Sequence, residues 1–318
     1  MNFIWKLALS AVLALYATLA AAQYPDKSIR VIVPFVAGGV SDILARVIAQ
    51  KITEQSGKAM VVENRGGAGG RIGYEAGAKA VGDGYTLVAT DVTYTMLPAL
   101  YANLSWDHAD LVPITFIAQM PFVIAVNANS KVRSMAELLA FAKANPGKIN
   151  YGSSGIGGVN HVVTELFRRT ANIDITHVPY RGMGDAMAAL LGGSIDMVIT
   201  AMPTAMNHVK SGKINAMSVT AARRPGALPN APTTSEAGVP FVAGNWVGFT
   251  TPKGAPREAI DWIQKQVATA ISVAEVRERI SAAGAEAQLM NADEFGKFMQ
   301  DEGRRWGETI RSANIKAE

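Results

Sequence analysis

Apolar residues recur in two alternating rhythms along most of this chain. A continuous run at residues 29–34 gives way to Ile43, Leu44, Val47, Ile48 and Ile52, spaced by threes and fours across residues 40–55. The first pattern marks a strand buried on both faces, the second an amphipathic helix. Strands are predicted again at 59–63 and 85–90, with a small-residue helix at 70–80 between them and a Gly82-Asp83-Gly84 turn before the second. Residues 122–126 read as a strand that crosses to a new layer. Ser134 then caps a helix to about residue 144, with Glu137 three positions on as a capping box, and Asn145-Pro146-Gly147 stops it. The rhythm restarts with strands at 149–152, 175–178, 197–200 and 216–220, and helices at 158–170, 184–191 and 204–211. Residues 223–232 are Pro-rich and irregular, and the apolar 246–250 crosses back. From residue 256 only helical patterns remain, at 257–273, 274–283 and 291–313.

This alternation predicts an α/β protein of two lobes, each an open, mostly parallel sheet covered on both faces. Two crossings, near residues 124 and 247, join them. Residues 23–124 with 248–318 form lobe 1, and 125–247 form lobe 2. Paired crossings make a hinge, and hinged α/β lobes close on small ligands.

The N-terminus follows a different logic. Lys6 precedes an apolar stretch at 7–19, and Ala20-Ala21-Ala22 offers a small-residue cleavage site. That is a secretory signal peptide, residues 1–22, cleaved after Ala22. No later stretch is apolar enough for long enough to span a bilayer, so a soluble exported protein is expected. The 318 residues contain no cysteine, which excludes disulfides, thiolate metal sites, Cys nucleophiles and a lipoprotein anchor. At 49% hydrophobic and 18% charged, the chain has ample material for a core. Lys and Arg number 30 against 26 Asp and Glu. The excess is mild and forms no dense basic patch, so nucleic acid is not an expected partner.

Two strand-to-helix junctions carry the candidate chemistry. The first is Pro34-Phe35-Val36-Ala37-Gly38-Gly39-Val40-Ser41-Asp42, the second Tyr151-Gly152-Ser153-Ser154-Gly155-Ile156-Gly157-Gly158, closing at His161. Small residues let backbone N–H groups approach a ligand, and the helix that follows points its positive end at it. One junction per lobe suggests a cleft that grips an anion from both sides. Asp42 either faces the cleft or simply favours the helix start. His161 is either a ligand group or a structural hydrogen-bonder. Thr90, Asp91 and Thr93 sit at the carboxyl end of a strand, where open α/β sheets face their ligands. Thr200, Ala201 and Met202 occupy the equivalent place in the second lobe. Tyr180 is placed to wall the pocket, and Arg181 either pairs with a second carboxylate or is simply solvated on its loop. The Arg65-Gly66-Gly67-Ala68-Gly69-Gly70 stretch is either simply a flexible turn before a helix or a lining of the cleft mouth.

Enzymatic spacings fail. A nucleophile elbow through Ser154 needs Gly at 156, where Ile156 stands. A dinucleotide fingerprint from Gly155 needs Gly at 160, where Asn160 stands. No Gly-Lys-Ser/Thr triplet exists, and His108, His161, His177 and His208 show no metal spacing. A secreted serine hydrolase using Ser153 or Ser154 with His161 remains the rival reading.

Taken in order, several stretches resemble the substrate-binding proteins of tripartite tricarboxylate transporters, the Bug family. They are Tyr24-Pro25-Asp26-Lys27, Val33-Pro34-Phe35-Val36-Ala37-Gly38-Gly39, Val62-Glu63-Asn64-Arg65, Asp83-Gly84-Tyr85-Thr86-Leu87, Tyr151-Gly152-Ser153-Ser154-Gly155, His177-Val178-Pro179-Tyr180-Arg181-Gly182 and Glu236-Ala237-Gly238. The resemblance implies a type II-like periplasmic binding fold that closes on a small carboxylate, mono- or dicarboxylate, aliphatic or aromatic. It places one carboxylate between Phe35, Ala37, Gly38 and Gly39 and the loop of Ser153, Ser154, Gly155 and Gly157, with Asp42 and His161 nearby; Val36, within the same turn, is a further candidate. Asp91 and Met202 fall where the family varies and where ligand identity is decided. The implied partners are that acid and membrane transporter subunits, with the receptor a monomer, no cofactor, no metal and no catalysis. An orphan receptor signalling to a membrane sensor is the other alternative.

Overall fold

The structure, a computed structural model, describes residues 24–315; the predicted signal peptide, residues 1–22, lies outside them. Ten strands and ten α-helices alternate along the described chain. The strands are β1 (Ile29–Val33), β2 (Met60–Asn64), β3 (Thr86–Asp91), β4 (Leu111–Asn127), β5 (Asn150–Ser153), β6 (Thr176–Pro179), β7 (Met197–Ala201), β8 (Ile214–Val219), β9 (Gly244–Pro252) and β10 (Glu286–Met290). The helices are α1 (Val40–Ser56), α2 (Arg71–Ala78), α3 (Val92–Leu100), α4 (Met135–Ala144), α5 (Val159–Thr170), α6 (Met183–Leu191), α7 (Met202–Lys210), α8 (Arg257–Ser272), α9 (Ala274–Ala282) and α10 (Ala292–Ser312).

In the first half β1 lies between β2 and β3, all parallel, and β9 runs antiparallel beside β3. In the second half β5 lies between β6 and β7, again all parallel. The 17-residue β4 ties the halves together. Up to Pro121 it pairs with β9, and from Phe122 onward it pairs with β7 and β8. The chain returns where Ala243, still bonded to Thr220, leads into β9.

β4 shows how the period of two builds the interior. Phe122, Ile124 and Val126 enter the large core shared with β1, β3 and α5, while Val123 and Ala125 enter a second core with Met183, Val198 and Met206. Both faces of the strand are covered, so its residues are apolar without alternation.

Three elements differ from the sequence pattern. The first part of β4 is hidden by Pro113 and Pro121, which lack an N–H and read as breaks; the ladder absorbs Pro113 through a register shift beside Thr115. Helix α3 carries apolar residues all round and Pro98 inside, so it has no stripe to detect. The C-terminal segment is not wholly helical: β10 pairs antiparallel with β4 at the sheet edge, where its half-exposed residues leave no apolar run. The capping box at α4 is half formed. Ser134 accepts from Glu137 N, but the Glu137 carboxylate takes the N–H of Arg133 rather than that of Ser134.

Candidate functional site

Five helices begin where a strand ends and bring their first turns to one place: α1 after β1, α3 after β3, α5 after β5, α6 after β6 and α7 after β7. Their starts enclose a pocket. Phe35 and Gly39 line it from the turn before α1, Val40 and Ser41 from the start of α1, Asp91 from β3 and Asn245 from β9. Ser154, Val159 and Asn160 line it from the second Gly-rich junction, Met183 from α6, and Thr200, Ala201 and Thr204 from the end of β7 and the start of α7. The two halves press so closely that ≈ 20 Å³ remains for a water-sized sphere, room for about one water molecule.

The pocket's electrostatics follow from its helix ends. The residues preceding α1, α5, α6 and α7 are Gly39, Gly158, Gly182 and Ala201, and none caps its helix with a side chain. At α5 the Val159 N–H is taken by Thr93 Oγ1 at 3.2 Å; the other first-turn N–H groups and the positive dipole ends make a setting that favours an anion. Three buried hydroxyls, Ser154 Oγ, Thr200 Oγ1 and Thr204 Oγ1, have no hydrogen-bond partner. All three residues line this pocket. Buried polar groups are almost always paired in proteins, so these three hydroxyls are placed to pair with a ligand or with water.

The predicted residues divide into two groups. Phe35, Gly39, Asp91, Ser154, Thr200 and Ala201 line the pocket. The others lie in the shell around it or elsewhere. Asp42 is turned away: Oδ2 accepts from Gly38 N at 3.0 Å, and Oδ1 from Arg46 Nε and Asn64 Nδ2, each at 2.9 Å. It fixes the Phe35–Gly39 turn, helped by Asn64 Nδ2 donating to Phe35 O. Val36 and Ala37 press against Gly182 and Gly184, and Gly38 approaches Gly184. Thr90 Oγ1 is spent on Thr250 Oγ1 at 2.7 Å. Ser153 Oγ faces His177 Nε2 at 2.6 Å and takes the Gly155 N–H. Gly155, at φ +113°, packs its α-carbon against the backbone of Gly69, and Gly157 packs against Tyr101. His161 Nδ1 accepts from Gly157 N. Tyr180 lines a shallow depression with Ala68 and Ile156. Met202 covers Gly284 and faces a separate groove of ≈ 1130 Å³ along the β4–β9 crossing, lined also by Arg223, Trp246 and Glu302. That groove is wide, and neither Gly-rich junction reaches it.

Sequence reasoning missed Val40, Ser41, Val159, Asn160, Met183, Thr204 and Asn245. Most stand in the first turn of a helix whose start was located: Val40 and Ser41 lie inside the first junction but were not singled out, and following the later junctions one turn further finds Asn160 and Thr204. Nothing in the sequence singles out Asn245, which reaches the pocket because β9 begins at the crossing.

Behind the second junction the His177 ring stacks between Tyr151 and His161, at 4.8 and 4.3 Å. Burial pushes the His177 imidazole down to about 4, helped by the His161 ring and opposed by Glu165. Burial also holds His161 low. Both rings are neutral in the fold at neutral pH. An unfolded His gains its proton near pH 6.5, so stability is complete above that value and falls as pH drops toward about 4, where folded His177 also protonates. The thermal midpoint is expected to fall across this window, and His177→Asn to flatten the decline. An equally steep profile in the variant places the titrating group elsewhere. Among the described residues no cluster of three or more His, Cys, Asp or Glu could hold a metal ion, and no helix is long and apolar enough to cross a membrane.

Residues 44–315 match the family model described as tripartite tricarboxylate transporter family receptor. The chain belongs to this family. It is 34% identical to the protein BugT of Bordetella pertussis over 304 residues, 94% of this chain and 93% of that one. Among solved structures, the periplasmic binding protein BugD superposes with a TM-score of 0.88 at 30% identity, over 92% of this chain and 99% of its own. Rpa4515 of R. palustris, solved with adipate, matches with the same score, identity and coverage. The family is one of solute-binding receptors, and the α/β architecture above is its fold.

Proposed function

We propose that this chain is a periplasmic receptor that closes around one small organic carboxylate and delivers it, chemically unchanged, to membrane subunits of a tripartite tricarboxylate transporter. The halves divide where β4 and β9 cross, and bending there separates the two Gly-rich junctions. The observation that carries the reading is the trio of unpartnered hydroxyls of Ser154, Thr200 and Thr204 among uncapped helix starts. A carboxylate supplies the acceptors that both the hydroxyls and the N–H groups lack. The adipate bound in a relative supports the ligand class. The apolar leader at residues 7–19 supports export.

Isothermal titration calorimetry against mono-, di- and tricarboxylates tests the reading. One-to-one uptake of an unmodified acid is expected, at micromolar affinity, about −8 kcal/mol. A chain that binds none of these acids is not such a receptor.

The Ser153–His177 contact at 2.6 Å gives the hydrolase reading its one foothold. It replaces the predicted pairing with His161, whose Nδ1 is taken by Gly157 N–H. Ser153 is fully buried and does not line the pocket, and its hydroxyl is bound up within its own loop. The pair holds the loop in shape. Ester turnover lost on Ser153→Ala would reverse this assignment.

A further inference from the structure

Asp91 is the only ionisable side chain among the described residues that line the pocket. Its exposure is 2%. Oδ1 accepts from Tyr74 Oη and Thr93 N, both at 2.9 Å, and Oδ2 accepts from Ser41 Oγ at 3.3 Å. A carboxylate has about four lone-pair positions. Three are occupied, and Oδ2 carries a single long contact. Burial raises its proton affinity, and the donors of Thr93, Tyr74 and Ser41 oppose that rise in part.

The helix ends around the pocket are unequal. Helices α5 and α7 carry no acidic residue in the first turn and no side-chain cap, and the unpartnered hydroxyls of Ser154, Thr200 and Thr204 lie at these two starts. Helix α1 holds Asp42 in its first turn, and α3 is capped by Asp91 itself. The pocket therefore has an anion-seeking pole on the second half and a donor-seeking pole on the first.

We propose that Asp91 is a specificity-determining residue: it selects a monocarboxylate that carries a hydroxyl or ammonium donor at its far end and rejects the dicarboxylate of the same chain length. The acid group lies against Ser154, Thr200 and Thr204, and the donor meets Asp91 Oδ2. A second carboxylate at that end faces a like charge away from water, which disfavours it strongly. This inference rests on the carboxylate-receptor reading and narrows its ligand class.

The test is calorimetry with wild type and Asp91→Asn against dicarboxylates from malonate to adipate and their ω-hydroxy and ω-amino monocarboxylate counterparts. Asparagine keeps an acceptor for Tyr74 and Thr93 and remains a good N-cap, so α3 keeps its start. Wild type is expected to prefer the best donor-bearing acid over its matched dicarboxylate by about tenfold or more, because a buried acceptor penalises a ligand that leaves it unpaired. Asp91→Asn is expected to cut that ratio by about tenfold or more. A wild type that prefers the ω-amino acids makes the donor a cation, and one that prefers the ω-hydroxy acids makes it neutral; both support the proposal. Dicarboxylates bound as tightly as their counterparts by wild type, or a ratio unchanged in the variant, overturn it and leave the receptor reading standing. If no acid in the series binds, this proposal falls, and the receptor reading is decided by the wider panel of mono-, di- and tricarboxylates. The wild-type ratio decides the matter even if the variant does not fold.

Discussion

Gly184→Ala is expected to destroy ligand binding in a protein that folds at least as stably as the wild type. Gly184 is the second residue of α6 and does not require positive φ. In isolation the change favours the helix, by about 0.5–1 kcal/mol. A Cβ at this position would nonetheless lie 2.0 Å from the carbonyl oxygen of Ala37, in the turn that leads into α1. That oxygen is backbone, fixed by the Asp42 and Asn64 bonds around the turn, and has no rotamer to adopt. When the halves part, the added methyl meets solvent. When they close, the clash holds them open. Apparent affinity scales with the fraction of molecules able to reach the binding conformation, so a closure-blocked receptor should lose about a hundredfold or more. Calorimetry for affinity and thermal melting of the unliganded protein give the two readouts together. A melting point lowered by several degrees with binding intact would mean that the contact belongs to a single rigid core and that no closure occurs.

The rhythm of strand and helix was legible wherever strands are short and doubly covered. β1 with α1 and β5 with α5 stand out because a β-branched or small-residue run gives way abruptly to helical spacing. The long β4 was half hidden because its first part runs through two prolines and lies in an antiparallel ladder that tolerates register shifts. The junctions were also legible, since Gly at 38, 155 and 157 adopts positive φ that other residues avoid. What the sequence does not reveal is the direction in which each side chain leaves the first helical turn. Successive helical residues point about 100° apart, so Ser41 reaches the pocket while Asp42 braces the turn, and Asn160 lines it while His161 stacks behind. Locating a helix start to one residue does not settle which neighbour faces the ligand. Asp91 was found because strand carboxyl ends face the crevice in such sheets. Its companion Asn245 enters from a crossing that carries no motif.

The triple variant Ser154→Ala, Thr200→Val, Thr204→Val separates a binding role from a structural one. The exposures of these residues are 2, 0 and 5%, and each hydroxyl oxygen lacks a partner. A buried hydroxyl that held the fold together would be paired, and deleting it would cost stability. An unpaired one carries a desolvation penalty of about 1–3 kcal/mol, so its removal in nearly isosteric form should leave the melting temperature unchanged or higher. Binding should move the other way. A hydrogen bond to a charged partner contributes about 1.5–3 kcal/mol. Three lost together predict a fall of about three orders of magnitude in affinity, allowing for some non-additivity among neighbours. The informative result is the pairing of opposite signs: a more stable protein that no longer takes up its acid. A variant that melts earlier while binding normally would make these hydroxyls part of the scaffold. The ligand would then have to be sought in the wide groove along the crossing, where Arg223 and Arg224 supply the cationic partners that the enclosed pocket does not contain.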